Sequence, residues 1–546
     1  MMKRTIFFTS CFCFVFLAFG LPLVHSQSKG VKTITGQELK YHLDFLGARE
    51  FRGRETPSHE LEIATVYIGN WALHNGLKPL LKDGSFYQEV PVTVNAVSVS
   101  NTRIRVTGKG SETVYYFGKS FGGNFTTGGT YSGSIVFAGT GSDQETGDHD
   151  LRNKIVVLID DVSPSVNIKQ SPYLTSRMSE RVTRLREKGA SAVFSIVSPE
   201  KQQRISSPSG FYDYIPTGRL GTKYDSQKTS FANTSNDPSQ KTRPQIPFTL
   251  AEINHAMAAG LLGVTETEIA GYFSAVREGN QLSFREYPEI FAKLDVELET
   301  YRASSRNVIA VVEGSDPVLK NEYVVICGHH DGRGIDDGEI IPAADDNGTA
   351  AVALIEIGQA LLTDRPKRSV ILAWVTGEEQ GMNGSHYFIN NCPVSPEKIS
   401  ACLDMDMLGR NNPDSLFLVA SDLLSTELDG AIKKANKNPA LNFGFDYRYS
   451  NLTHPQRVYF RSDHYPFIRF GIPSVWFFCG FTDDYHTYRD ACEYIDYTKF
   501  LKVTKLVYLT AMEIGNMKSL LRLDVNPAVN SRGAHNLRET SLFQAK

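Results

Sequence analysis

Apolar residues recur at helical spacing over Gln37–Leu46 and Glu60–His74, and from Tyr87 the pattern turns strand-rich. Short β-rich runs at Gly133–Gly139 and Lys154–Ile159 follow, then a helical stretch, Met178–Lys188, and a strand, Ala192–Val197, all separated by Gly, Asp and Ser clusters. Residues from about 111 to 274 therefore read as an inserted β-rich domain. Ser206–Arg243, polar and rich in Ser, Thr and Pro, reads as a long exposed loop. From Asn307 onward, near-continuous apolar runs alternate with helical patterns. The runs are Asn307–Val312, Tyr323–Cys327, Ser369–Val375, Ile399–Met405, Ser415–Val419 and Pro473–Phe478; the helices are Asn347–Leu362, Ser385–Asn391, Leu423–Asn436 and Thr498–Met517. Strands that are apolar at every position are buried on both faces. Their alternation with helices predicts an α/β fold, a mostly parallel central sheet sandwiched by helices.

This organisation divides the chain into a leader at 1–26, the first part of the α/β domain at 27–110, the insertion at 111–274, the rest of the α/β domain at 275–521 and a surface tail at 522–546. Met1-Met2-Lys3-Arg4 is basic, Ile6–Phe19 is apolar, Gly20 and Pro22 interrupt it, and Val24-His25-Ser26 ends the stretch near small residues, the pattern of a cleaved secretory signal. A secreted or periplasmic protein follows, with no stable membrane insertion after cleavage. The 546 residues, 41% hydrophobic and 21% charged, have the composition of a multidomain globular protein. A net charge of −3 removes the electrostatic case for nucleic acid as a partner. Cys11 and Cys13 lie in the leader, and the other five cysteines show no metal or redox spacing. Cys392 with Cys402 and Cys479 with Cys492 are candidate bridges, whereas Cys327 sits in an apolar run as a small buried hydrophobe.

In open α/β sheets, functional groups collect beyond the carboxyl ends of the strands. Strand Tyr323–Cys327 leads into Gly328-His329-His330-Asp331, Ser369–Val375 into Gly377-Glu378-Glu379, and Ile399–Met405 carries Asp404-Met405-Asp406 at its end. Ala344-Asp345-Asp346-Asn347-Gly348 opens a helix, and Asp483-Asp484-Tyr485-His486 follows the strand Pro473–Phe478. Each pair alone is ordinary surface chemistry. Together, at one edge of one sheet, these imidazoles and carboxylates suit first-row divalent metals, and five such ligands without cysteine fit two ions sharing a bridging carboxylate.

These motifs, with Ser462-Asp463-His464-Tyr465-Pro466-Phe467, Tyr485-His486-Thr487 and the N-terminal Phe51-Arg52-Gly53-Arg54, resemble the ordered motif set of the M28 family of zinc aminopeptidases. The insertion, through Val136-Phe137-Ala138-Gly139 and Gly189-Ala190-Ser191-Ala192-Val193, resembles a protease-associated (PA) domain. The resemblance implies a zinc-exopeptidase fold and two Zn²⁺ ions, with His329 and Asp406 completing one site, Glu379 and His486 the other, and Asp346 bridging. It selects Asp346 over Asp345, Asp406 over Asp404 and His329 over His330. It also implies Glu378 as general base, with Tyr485 and Arg461 as candidate partners of the reacting oxygen.

Two such ions lower the pKa of a shared water from about 15.7 toward about 7 and polarise a carbonyl, while an adjacent carboxylate off the metal is free to move protons. Asp331 is expected to accept a hydrogen bond from the His329 ring. Asp463 and His464 are expected to support the site or the fold. The leading expectation is a secreted exopeptidase removing N-terminal residues from peptides. A glutaminyl cyclase, an acidic-peptide carboxypeptidase and a non-catalytic receptor-like protein are alternatives on the same fold.

Overall fold

Ser369–Val375 and Ile399–Met405 are buried at every position, as their unbroken apolar sequences require. Successive side chains of a strand point to opposite faces. Val324, Ile326, Val370, Leu372 and Trp374 accordingly join one core cluster with residues of the helices Gly36–Leu46, Thr349–Thr363 and Tyr497–Gly515. Val325, Cys327, Ile371, Ala373 and Val375 join a second cluster with Phe388, Ile389 and Phe467. Each large side chain buried in this way contributes about 1.5–3 kcal/mol. The structure is a computed structural model describing residues 28–108, 110–123, 125, 128–159, 161, 176–205, 219–224, 249–336, 339–527, 529–533 and 537, and the leader expected at 1–26 lies outside them.

The main sheet runs Gly444–Asp446, Ser415–Val419, Ser474–Phe478, Ile399–Met405, Tyr323–His329, Ser369–Val375, Leu298–Val312, Tyr87–Val97, Arg219–Tyr224, with Lys78–Pro79 pairing beside Leu298–Val312. The four strands from Ser474–Phe478 to Ser369–Val375 are parallel. Antiparallel pairing begins on both flanks, at Ser415–Val419 and at Leu298–Val312. The expected parallel sheet is thus the centre of a mixed one. Its register, with His329 opposite Val375 and Cys327 opposite Asp404, brings the carboxyl ends of the central strands to one edge.

A second sheet has its own core and joins Ser111–Tyr116, Arg103–Gly108, Arg285–Val296, Gly129–Phe137, Lys154–Ile159, Ala192–Ile196, Leu250–Ile253 and Phe121–Gly122. Its strands reach from Arg103 to Val296, beyond the expected 111–274 on both sides, because Arg103–Gly108 and Arg285–Val296 pair with each other. The unit is joined to the main sheet by Tyr87–Val97 and Leu298–Val312, antiparallel partners from Tyr87 opposite Val308 to Val97 opposite Leu298. Within the stretch expected to be loop, Arg219–Tyr224 pairs with Tyr87–Val97; the remainder lies outside the described residues.

The tail is docked over its described part: Val529 is buried, and the Gly533 and Leu537 amides donate to the Phe470 and Arg469 carbonyls at 2.9 Å each. Neither candidate disulfide forms. All five cysteines among the described residues are free, and Cys327 Sγ lies 3.4 Å from Cys402 Sγ across adjacent parallel strands. No helix among the described residues is long and apolar enough to cross a membrane.

Candidate metal centre

His329 is the last residue of its strand, and Asp406 directly follows Met405, the last residue of the next one. Glu378 and Glu379 come three and four residues after Val375, and His486 stands on the loop beyond Phe478 with φ 56°. Asp346 lies in the turn Ala344–Gly348, where its φ of −108° departs from helical values. That turn is held from two sides. The Asp490 carboxylate accepts from the Asp345 and Asp346 amides at 2.7 and 3.0 Å. The Asn347 side chain donates to the Met405 carbonyl at 3.0 Å and accepts from the Ala350 amide at 3.1 Å. The same turn that presents Asp346 is thereby fixed to the strand that presents Asp406.

The five expected ligands converge as two overlapping groups, His329 with Asp346 and Asp406, and Asp346 with Glu379 and His486. His329 Nε2 lies 3.4 Å from Asp346 Oδ1 and 3.6 Å from Asp406 Oδ1. His486 Nε2 lies 3.1 Å from Asp346 Oδ2 and 3.3 Å from Glu379 Oε2. Asp346 therefore turns one oxygen to each imidazole. His329 Nε2, Asp406 Oδ1, Glu379 Oε1 and His486 Nε2 are buried without a hydrogen-bond partner. Donor atoms at about 2.0–2.1 Å from a tetrahedral ion stand about 3.3 Å apart. Orphaned donors at this spacing, all imidazole or carboxylate, fit a first-row divalent ion in each group.

The electrostatics agree. Burial opposes charge on His329, but Asp331, Asp346 and Asp406 hold its pKa well above the ordinary imidazole value. Burial likewise opposes charge on His486, yet Glu379 and Asp346 bring it to about 10. Burial, followed by the nearby Asp346, pushes Asp406 up to about 6. A field that favours a proton on each imidazole favours a cation at the same place.

Glu378 Oε2 stands 3.8 Å from His329 Nε2, outside both groups. Burial, with Asp406 and Glu379 adding to it against His329, raises its carboxyl well above the usual range. Tyr485 stacks on His486 with ring centres 3.7 Å apart, and Arg461 Nη2 donates to its hydroxyl at 3.1 Å. Glu378, Tyr485 and Arg461 all line a cleft of about 310 Å³ that also reaches Asp346, Glu379 and His486.

The neighbouring residues turn away. His330 is bonded to the Thr65 hydroxyl at 2.9 Å and the Val375 carbonyl at 2.8 Å. Asp345 accepts from the Gly409 amide at 2.7 Å, and Asp404 from the His464 amide at 3.0 Å. His464 Nε2 faces the Tyr459 carbonyl at 2.9 Å, and Asp463 accepts from Ser385, so both support the fold around the site. The His329 ring meets the Asp331 backbone carbonyl at 3.2 Å more closely than the expected carboxylate at 3.6 Å; Asp331 Oδ1 also accepts from the Glu378 amide at 3.3 Å.

Three supporting residues had no assigned role in the sequence. Asp490 clamps the Asp346 turn, and Ser462 donates to Asp406 Oδ2 at 2.8 Å. Arg54, fully buried, donates to the carbonyls of Leu46, His330, Pro342 and Ala343 at 2.5–3.1 Å. Ser462 and Arg54 stood inside quoted motifs, which was their signal; Asp490 had none.

Fold and site together define a class: an α/β chain whose strand-end loops gather two imidazole–carboxylate groups around one shared aspartate. Residues 307–511 match the sequence profile of peptidase family M28, and the chain carries a domain of that family. It is 31% identical over 193 residues to leupeptin-inactivating enzyme 1 of Streptomyces exfoliatus, covering 34% of this chain and 38% of that protein. It is 27% identical over 231 residues to a probable leucine aminopeptidase 2 of Aspergillus fumigatus, covering 41% of this chain and 44% of that one. The matches thus span about two fifths of the length of these relatives. The zinc aminopeptidase BSAP from Bacillus subtilis superposes with a TM-score of 0.50 at 14% identity, over 90% of this chain and 98% of that one, a likeness of fold.

Proposed function

We propose that this chain is an exported aminopeptidase that holds two zinc ions and removes N-terminal residues from peptides. The observation that carries the reading is the Asp346 carboxylate, which turns Oδ1 to His329 and Oδ2 to His486. In this reading His329 and Asp406 hold one ion, Glu379 and His486 the other, and Asp346 both. Bound there, the ions would polarise the scissile carbonyl and acidify the attacking water. Glu378 takes the water's proton on its carboxylate and delivers it to the leaving nitrogen. The Tyr485 hydroxyl, with Arg461 behind it, donates to the carbonyl oxygen as charge develops there. Met382, Met407, Phe460, Trp476 and Phe481 give the cleft an apolar wall for the substrate side chain. The leader at 1–26 supplies export, and the second sheet is a PA-like module beside the peptidase domain.

The test is a panel of free-amine and N-blocked peptides, with and without chelator, assayed alongside Glu378→Gln. Free-amine substrates should be cleaved only without chelator. Glu378→Gln should retain its zinc while turnover falls about 10²- to 10⁴-fold. Wild-type turnover by that variant would end the general-base assignment. Cleavage of blocked acidic peptides, or release of a cyclised N-terminal glutamine, would replace the aminopeptidase reading with a carboxypeptidase or a cyclase.

A further inference from the structure

A third group of ligand-type side chains lies away from the cleft, between two helices. Thr35 caps the helix Gly36–Leu46, accepting from the Glu38 amide at 3.2 Å, and this phase places Glu38 and His42, four residues apart, on one helical face. The helix Thr349–Thr363 packs against that face and contributes Glu356. One donor atom from each of Glu38, His42 and Glu356 lies within 4.8 Å of the others.

Glu356 is the unusual member. It is fully buried, and apart from the Thr35 amide, which approaches without completing a well-aligned hydrogen bond, neither carboxylate oxygen has a hydrogen-bond partner. Burial pushes its pKa to about 7, the Thr35 amide opposing the shift and Glu38 adding to it. A carboxylate taken out of water needs a compensating positive charge or a proton. His42 is also buried, and burial lowers its pKa against the pull of Glu38, which favours the neutral imidazole that ligates metals. Its Nδ1 lies 2.7 Å from the Tyr67 hydroxyl, the kind of outer contact that fixes a ligating ring. Glu38 is exposed and forms the solvent side of the group.

We propose that Glu38, His42 and Glu356 form an additional cation site that takes a first-row divalent ion such as zinc. One imidazole with two carboxylates is the donor chemistry of such ions, with water completing the coordination on the Glu38 side. The ion neutralises Glu356 and fastens the N-terminal helix to the helix that begins three residues after Asp346. Because it binds only the folded arrangement of two helices distant in sequence, it raises stability as its concentration rises.

The experiment uses the full chain equilibrated with excess zinc, desalted, and counted for zinc per chain by elemental mass spectrometry. Wild type should hold one more ion than Glu356→Gln and one more than Glu38→Gln, with peptide hydrolysis equal in all three. Once the cleft is saturated, further zinc should raise the thermal midpoint of wild type and leave both variants unmoved. Equal zinc counts in wild type and the variants would overturn the proposal and leave Glu356 as a carboxyl neutralised by a proton. Glu38 is exposed, so Glu38→Gln keeps the test decisive even where Glu356→Gln fails to fold. The readout is a difference between wild type and variant, so it stands whether the cleft takes two ions, one or none.

Discussion

The two halves of the candidate centre use the same donor types in different settings. His329 and Asp406 sit at the ends of adjacent parallel strands, with the His329 side chain wholly buried and Asp406 braced by Ser462. His486 stands on a loop, and its side chain is 26% exposed. The strand-end half is fixed by the core beneath it; the loop half depends on local packing such as the Tyr485 ring. The contrast teaches that preorganisation here comes from the sheet on one side and from a surface loop on the other, with Asp346 joining them. Ions at the loop half should exchange faster.

The largest effect expected from breaking this comparison is that of Asp346→Asn. It removes the charge facing both histidines, so zinc affinity should fall on both sides by more than the roughly 10- to 100-fold typical of losing an outer partner. His486→Ala should empty the loop half alone, and elemental analysis of the two variants separates the cases. Equal zinc loss from both would sink the bridging role. Next in size, Ser462→Ala should weaken the strand-end half by about 10- to 100-fold, read as a zinc titration in which one of two binding steps moves. Movement of both steps together would contradict the division.

The smallest effect concerns a third imidazole. His386 is buried like His329, but burial, followed by the Arg469 charge, lowers its pKa to about 3. The unfolded chain binds its proton near pH 6.5 and the folded one does not, so stability falls as pH drops from about 6.5 toward 3. Between pH 7 and pH 5, urea unfolding should show wild type losing about 2 kcal/mol more than His386→Gln. Parallel losses in the two proteins would show that His386 is not held neutral. Two buried imidazoles thus shift oppositely: burial lowers both, and only the carboxylates around His329 overcome it.

The central strands were legible because burial on both faces leaves an unbroken apolar record, and Ser369–Val375 and Ile399–Met405 form over the predicted residues. The limits of the insertion were not. Tyr87–Val97 and Leu298–Val312 keep one strand pattern through the junction, so composition changes inside the second sheet rather than at its edge. Arg219–Tyr224 was hidden because an edge strand is held by backbone pairing that needs no apolar sequence. At the site, residue types and strand ends were readable, but the choice between His329 and His330 needed the family pattern. Consecutive residues at a strand end face opposite ways, and only packing shows that His330 is directed to Thr65. Asp490 was unreadable because it acts on backbone amides more than 140 residues earlier in the chain.

The paired strands that join the two sheets carry one more implication. Val97 faces Leu298, and one step further the Ser98 amide still donates to the Glu297 carbonyl at 2.8 Å, so both ends of a two-hundred-residue excursion emerge side by side. A host hairpin with such a doorway can acquire, exchange or shed its guest by rewriting a single turn. Closing it with a two-residue loop gives up the edge strand Arg219–Tyr224 and spares the ladder beside the half that holds the candidate centre.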